Sequence, residues 1–133
     1  MSKPKLNVSK TNSMELTLHF VGSKWNSLII YYLGKRTLRF GELRKLIPMI
    51  TQKVLTQKLK ELEDYGIVYR QIYAQIPPKV EYSLSDVGKE LLPILDLACT
   101  WGKAFKTEHK EIMMKLEIEN GTSSQLRNVP LRK

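Results

Sequence analysis

Cysteine is nearly absent from this chain. A single Cys99 in 133 residues excludes an internal disulfide framework and suits a reducing cytosol. Histidine is almost as scarce. Only His19 and His109 are available, and neither has Cys, Asp or Glu at metal-ligand spacing; Glu108 and Glu111 do not share a helix face with His109. No metal and no other cofactor is therefore expected. No run of about 18 apolar residues occurs, so no membrane-spanning helix is expected. The polar, basic opening from Met1 to Lys10 is no signal peptide. There is no internal repeat, no glycine-rich phosphate loop and no pattern suggesting a Ser-His-Asp set, so no catalytic residue is nominated and no enzyme is expected.

Acid is also in short supply. Asp and Glu total 13 against 22 Lys and Arg, a formal charge of +9. A surplus that large favours a polyanionic partner, either nucleic acid or an acidic membrane surface, and only its placement can decide between them.

The apolar residues are spaced for helices first and strands later. Residues 1–12 read as a flexible basic arm. Ser13 can cap a first helix carrying Leu16, Phe20 and Val21, which Gly22 ends. Ser23 can cap a second, with Trp25, Leu28, Ile29, Tyr32 and Leu33 at helical spacing before Gly34. Residues 36–39 suit one short strand. A short helix then runs from Phe40 to about Ile47 and closes at Pro48. Thr51 is a good N-cap for a fourth helix with Val54, Leu55, Leu59 and Leu62 inward. Gly66 is placed to end that helix in a left-handed conformation. Residues 67–75 and 79–84 read as strands around Ile76-Pro77-Pro78, with Val80, Tyr82 and Leu84 on one face and Glu81 and Ser83 on the other. Ser85 caps a long final helix from Asp86 to about Glu119, which Pro93 should bend. The remainder, residues 120–133, reads as a flexible tail.

This order predicts a mainly α fold with a small β-wing: a winged helix-turn-helix over residues 13–85, then a long C-terminal dimerisation helix over residues 86–119.

The positive charge is concentrated on the helix-turn-helix. Lys35, Arg36, Arg39, Arg44, Lys45, Lys53, Lys58 and Lys60 face one acid, Glu42, giving +7 in 26 residues, whereas residues 86–119 carry −2. On the fourth helix the outward side is Gln52, Lys53, Thr56, Gln57 and Lys60, with acids beginning only at Glu61. Amides and hydroxyls can read base edges, and ammonium groups can hold phosphates. Thr51 and Arg39 lie close by in sequence, and Arg70 and Lys79, with Tyr73 and Gln75, belong to the wing that would reach a neighbouring groove. These residues form the expected double-stranded DNA interface, and no membrane partner is expected.

Several stretches resemble the HxlR-type winged-helix regulators: Gly22-Ser23-Lys24-Trp25, Arg39-Phe40-Gly41-Glu42-Leu43, Leu55-Thr56-Gln57-Lys58-Leu59-Lys60-Glu61-Leu62 and Pro77-Pro78-Lys79-Val80-Glu81-Tyr82. The resemblance covers about residues 12–105. It implies a dimeric bacterial or archaeal transcriptional regulator of the MarR-like group on a palindromic operator. Oxidant-sensing members often carry a cysteine just ahead of the first helix. That position is Asn12 here, followed by Ser13 where proline is usual, so the resemblance supplies no thiol switch at that site.

Leu91, Ala98, Phe105 and Ile112 recur every seven residues, with Ile94 and Trp101 three after the first two, drawing one apolar seam. The seam is the expected homodimer interface. Trp25 and Trp101 read as core and dimer residues; an effector pocket between them, for an unidentified small molecule, is their other reading. Cys99 reads as a small apolar filler. Two other functions fit a basic winged helix. An RNA binder would need exposed aromatics on the fourth helix, which has none, and a pure protein-interaction module would lack the lysines at 53, 58 and 60.

Overall fold

The computed structural model describes residues 6–120. Of the expected flexible tail, residues 121–133 lie outside the described residues, as do the first five residues of the expected arm, while Asn120 belongs to the last helix. The chain divides between Leu92 and Pro93 into two compact units.

The first unit holds α1 (Ser13–Val21), α2 (Lys24–Leu33), α3 (Phe40–Leu46), α4 (Gln52–Asp64), β1 (Val68–Tyr73), β2 (Lys79–Leu84) and α5 (Asp86–Lys89). It is a winged helix-turn-helix, mainly helical with a two-stranded antiparallel wing. Its core is aliphatic and closes around α2, whose Leu28, Ile29 and Ile30 are wholly buried. Leu43 and Ile47 seal it from the α3 side, Leu55, Leu59 and Leu62 from α4, and Val68 and Leu84 from the base of the wing. The inward stripe of α4 follows the i, i+4, i+7 rule expected of a helix with one apolar face; Val54 is half-buried at its margin.

Two positions need glycine. Gly66, at φ +74°, turns the chain from α4 into β1 in the left-handed region. Gly88 lies so close to the wing that a Cβ there would collide with the Ile67 carbonyl oxygen. Ser85 ties the same corner: its hydroxyl donates to Gly66 O at 2.6 Å and accepts from Gly88 N at 3.0 Å.

The structure departs from the sequence expectations at several ends. Asn12, not Ser13, caps α1, its side-chain oxygen accepting from Glu15 N at 2.8 Å. The extended Asn12 backbone puts that oxygen within reach of the third helical N–H. The arm is tied over residues 6–12: Thr11 N bonds Asn7 O at 3.0 Å, and Leu6 N donates to the Tyr65 hydroxyl at 3.2 Å. The strand expected at 36–39 shrinks to one bridge, Leu38 with Tyr82, because Arg39 already serves as the N-cap of α3. Helix α3 ends at Leu46, with Ile47 as its C-cap. Strand β1 covers only Val68–Tyr73 of the expected 67–75.

The largest departure is in the final segment, which is not one helix. It is split into α5, then α6 (Leu92–Glu108) and α7 (Lys110–Asn120). Pro93 does not bend a helix here, since it is the second residue of α6. Proline's missing N–H is harmless in a first turn, but in mid-helix its ring would clash with the carbonyl four residues back. Residues Glu90 and Leu91 therefore form a turn, with Leu91 N bonded to Gly88 O at 3.1 Å. The break at His109 is slight: His109 N still bonds Phe105 O at 2.9 Å and Met113 N bonds His109 O at 3.1 Å.

Candidate nucleic-acid interface

Helix α4 starts where the sequence places it. The Thr51 hydroxyl accepts from Val54 N at 3.1 Å, fixing the first turn. Gln52, Lys53, Thr56, Gln57 and Lys60 are all exposed. They are displayed together because the stripe Leu55, Leu59, Leu62 holds the opposite side in the core. The Thr56 hydroxyl donates to Gln52 O at 2.8 Å, which commits its proton and leaves the oxygen able to accept.

The cations of this face are not equivalent. Lys53 makes no ion pair among the described residues. Lys60 is drawn one turn down the helix, its Nζ 3.2 Å from Asp64 Oδ1. Lys58 lies beside the inward stripe, half-buried, 4.0 Å from Glu61. Glu61 in turn faces His19 of α1, with Oε2 3.4 Å from Nε2. Sequence spacing could not show this pairing, since the two residues lie on different helices. The first acid of α4 thus points to α1 rather than along the basic face.

The turn between α3 and α4 exposes Pro48 and Met49. Met49 sits at φ +70°, a region that a residue with a Cβ rarely adopts. In the first turn of α3, Glu42 Oε1 accepts from Arg39 N at 2.8 Å while Oε2 lies 3.6 Å from Arg36 Nη1. The Arg39 backbone N–H, outweighing desolvation and aided by the Arg36 charge, holds the Glu42 carboxyl below the usual carboxylate range. Arg39 itself is exposed.

The wing separates the two cations that the sequence grouped. Register pairs Arg70 with Tyr82 and Lys79 with Tyr73. Alternation along β1 then puts Arg70 and Lys79 on opposite faces of the hairpin. Arg70 is exposed, whereas Lys79 is half-buried, 3.3 Å from Glu81 and 4.9 Å over the Tyr73 ring. Tyr73 and Gln75 are exposed, and Ile76 at the tip is fully so.

In the second unit, Ile94, Ala98, Trp101 and Phe105 lie on α6 and Ile112 on α7; Leu91 falls in the preceding turn. Trp101 is 69% exposed, Ile112 48% and Ile94 40%. The Trp101 and Phe105 rings stack at 5.2 Å, and Phe105 stacks on His109 at 4.5 Å. Leu97, which the expected seam leaves out, is 71% exposed. Its position three residues after Ile94 and four before Trp101 carried the signal. Cys99 is half-buried on α6. Trp25 belongs to the first unit and Trp101 to the second. Among the described residues no three His, Cys, Asp or Glu side chains gather as a metal site, and no helix is long and apolar enough to cross a membrane.

A helix-turn-helix with an uncluttered outward helix and a two-stranded wing defines a DNA-binding protein of the winged-helix class. The profile described as HxlR-like helix-turn-helix matches residues 20–110. The chain belongs to this family of transcriptional regulators. It is similar to the uncharacterized HTH-type regulator YtcD of Bacillus subtilis, at 48% identity over 102 residues, 77% of this chain and 78% of that protein. An uncharacterized HTH-type regulator of Methanothermobacter thermautotrophicus is 44% identical over 99 residues, 74% of this chain and 75% of that protein. Among solved structures, the redox regulator HypR in its reduced form superposes with a TM-score of 0.70 at 41% identity, covering 75% of this chain and 99% of that chain.

Proposed function

We propose that this regulator binds a palindromic double-stranded operator as a homodimer in the cytoplasm, without catalytic activity of its own. The observation that carries the reading is the outward face of α4: Gln52, Lys53, Thr56, Gln57 and Lys60 are exposed together, and Glu61 is turned towards His19. Such a face suits a major groove, with Thr56 and Gln57 at base edges and Lys53 and Lys60 at phosphates. Thr51 and Gln52 sit at the helix start, where the N-terminal residues of a recognition helix meet bases. Arg39 and Arg70 add backbone contacts, and Lys79 adds less because it is half-buried over the Tyr73 ring and beside Glu81.

The dimer is supported by the apolar residues that α6 and α7 leave in water. Ile94, Leu97, Trp101 and Ile112 are each at least 40% exposed, more than scattered surface residues require. A two-fold dimer would present two α4 helices to successive major grooves about 34 Å apart. The test is a gel shift on duplexes from the promoter region next to the gene, with a salt titration, alongside light scattering. The reading expects a specific complex of two protomers with a steep salt dependence. A protein that stays monomeric at micromolar concentration, or binds no duplex, sinks it.

A further inference from the structure

We propose that Glu42 is a positioning residue that holds the Arg36 guanidinium as a phosphate contact at the start of α3; the inference rests on the DNA-binding reading above. Glu42 is the lone acid among the eight cations between Lys35 and Lys60. A carboxylate there repels a polyanion, so it weakens binding unless it acts through a neighbour. Helix capping alone does not require the charge, because an uncharged glutamine oxygen could accept the same backbone N–H.

The geometry supplies the neighbour. Glu42 is anchored at one oxygen by the Arg39 N–H at 2.8 Å, which fixes where the other oxygen points. That second oxygen lies 3.6 Å from Arg36 Nη1, while the Arg36 side chain remains 60% exposed. A guanidinium carries five N–H donors in a planar fork, so one carboxylate oxygen leaves donors outward for a phosphate. Arg36 held in this way loses less rotamer freedom on binding than a free arginine would. Arg36 follows Lys35, and both precede α3, whose last turn exposes Arg44 and Lys45 as well. An anchored Arg36 therefore extends the cationic surface upstream of α3.

The test compares wild type, Arg36→Gln, Glu42→Gln and the double variant. Binding of a labelled duplex is followed by anisotropy across a potassium chloride series, with melting curves to verify folding. Glu42→Gln retains an oxygen for the Arg39 N–H, so the helix start survives. Arg36→Gln should weaken binding to every duplex by about threefold to tenfold and lower the salt slope by about 0.9, one phosphate's worth. Glu42→Gln in the wild-type background should also weaken binding, by about twofold to fivefold, because the loss of a positioned Arg36 outweighs the relief of repulsion. In the Arg36→Gln background the same change should strengthen binding, since only the repulsion is left to remove. That reversal of sign is the signature of positioning.

Strengthening in both backgrounds would show Glu42 to be a repelling charge and overturn the proposal. Equal weakening in both, with lowered melting, would reduce Glu42 to a helix cap, and no effect in either would remove its role altogether. An unchanged affinity and slope for Arg36→Gln would overturn it too, while wild type still binding would leave the DNA-binding reading intact. Wild type that binds no duplex at any salt would instead bring down that reading, and this inference with it.

Discussion

Replacing Trp101 with alanine should dissociate the dimer proposed for the α6–α7 face. The indole is 69% exposed, and its ring is stacked on Phe105 at 5.2 Å, which holds it in place on the helix surface. A Trp side chain buries up to ~250 Å², so covering its exposed share removes ~170 Å² per protomer from water, worth ~4 kcal/mol at ~25 cal/mol/Å². A partner that covers half of that area on each of the two copies leaves ~4 kcal/mol per dimer, a roughly thousandfold change in the dimer Kd. The variant should still fold, because the ring is mostly in water within one protomer. Sedimentation or light scattering from nanomolar to micromolar concentration reads the shift, and Trp101→Asp with Phe105→Asp should abolish dimers throughout that range. A Trp101→Ala protein with an unchanged dimer Kd would refute the assignment of this face.

Other expectations follow from single contacts. Gly88→Ala should lower stability by about 2 kcal/mol or more, because the new Cβ meets the Ile67 carbonyl oxygen and backbone must shift; denaturant melts measure it. The depressed Glu42 carboxyl stabilises the fold above its ordinary value of 4.5, and that contribution is lost as pH falls through the lower folded value. Glu42→Gln should thus flatten the acid limb of a stability-versus-pH curve, and a limb identical to wild type would contradict the anchoring. Arg70→Ala should lower the salt slope of DNA binding by about one ion, whereas Lys79→Ala should lower it by less, since that ammonium is half-buried over the Tyr73 ring and beside Glu81. Equal losses for the two would mean that DNA displaces Glu81.

Much of the first unit could be read from spacing alone. The stripe Leu55, Leu59, Leu62, the Thr51 cap and the left-handed Gly66 all follow local rules, and each occurs where those rules put it. The outward face of α4 was legible for the same reason: fixing the buried side fixes the other. What was not legible depends on non-local packing or on competition between local signals. The bridge of Leu38 to Tyr82 needs a partner 44 positions away, so a strand run of 36–39 overstated it. Asn12 and Ser13 are both good caps, and only the backbone settles which one acts. Pro93 was equally ambiguous, able to kink a helix or to start one. The contact of His19 with Glu61, and the split of Arg70 from Lys79 across the wing, emerge only once elements are placed and strands registered.

The claim at the centre is that α4 reads DNA with its outward face. Its most direct test is anisotropy of Gln57→Ala and Lys53→Ala on an operator duplex and on the same duplex with each base pair changed in turn. Gln57→Ala should lose about 1–3 kcal/mol of discrimination at one base position and little elsewhere. Lys53→Ala should weaken every duplex alike and reduce the salt slope by about one. If both variants bound all of the duplexes as wild type does, at every salt concentration, α4 would not be the reader.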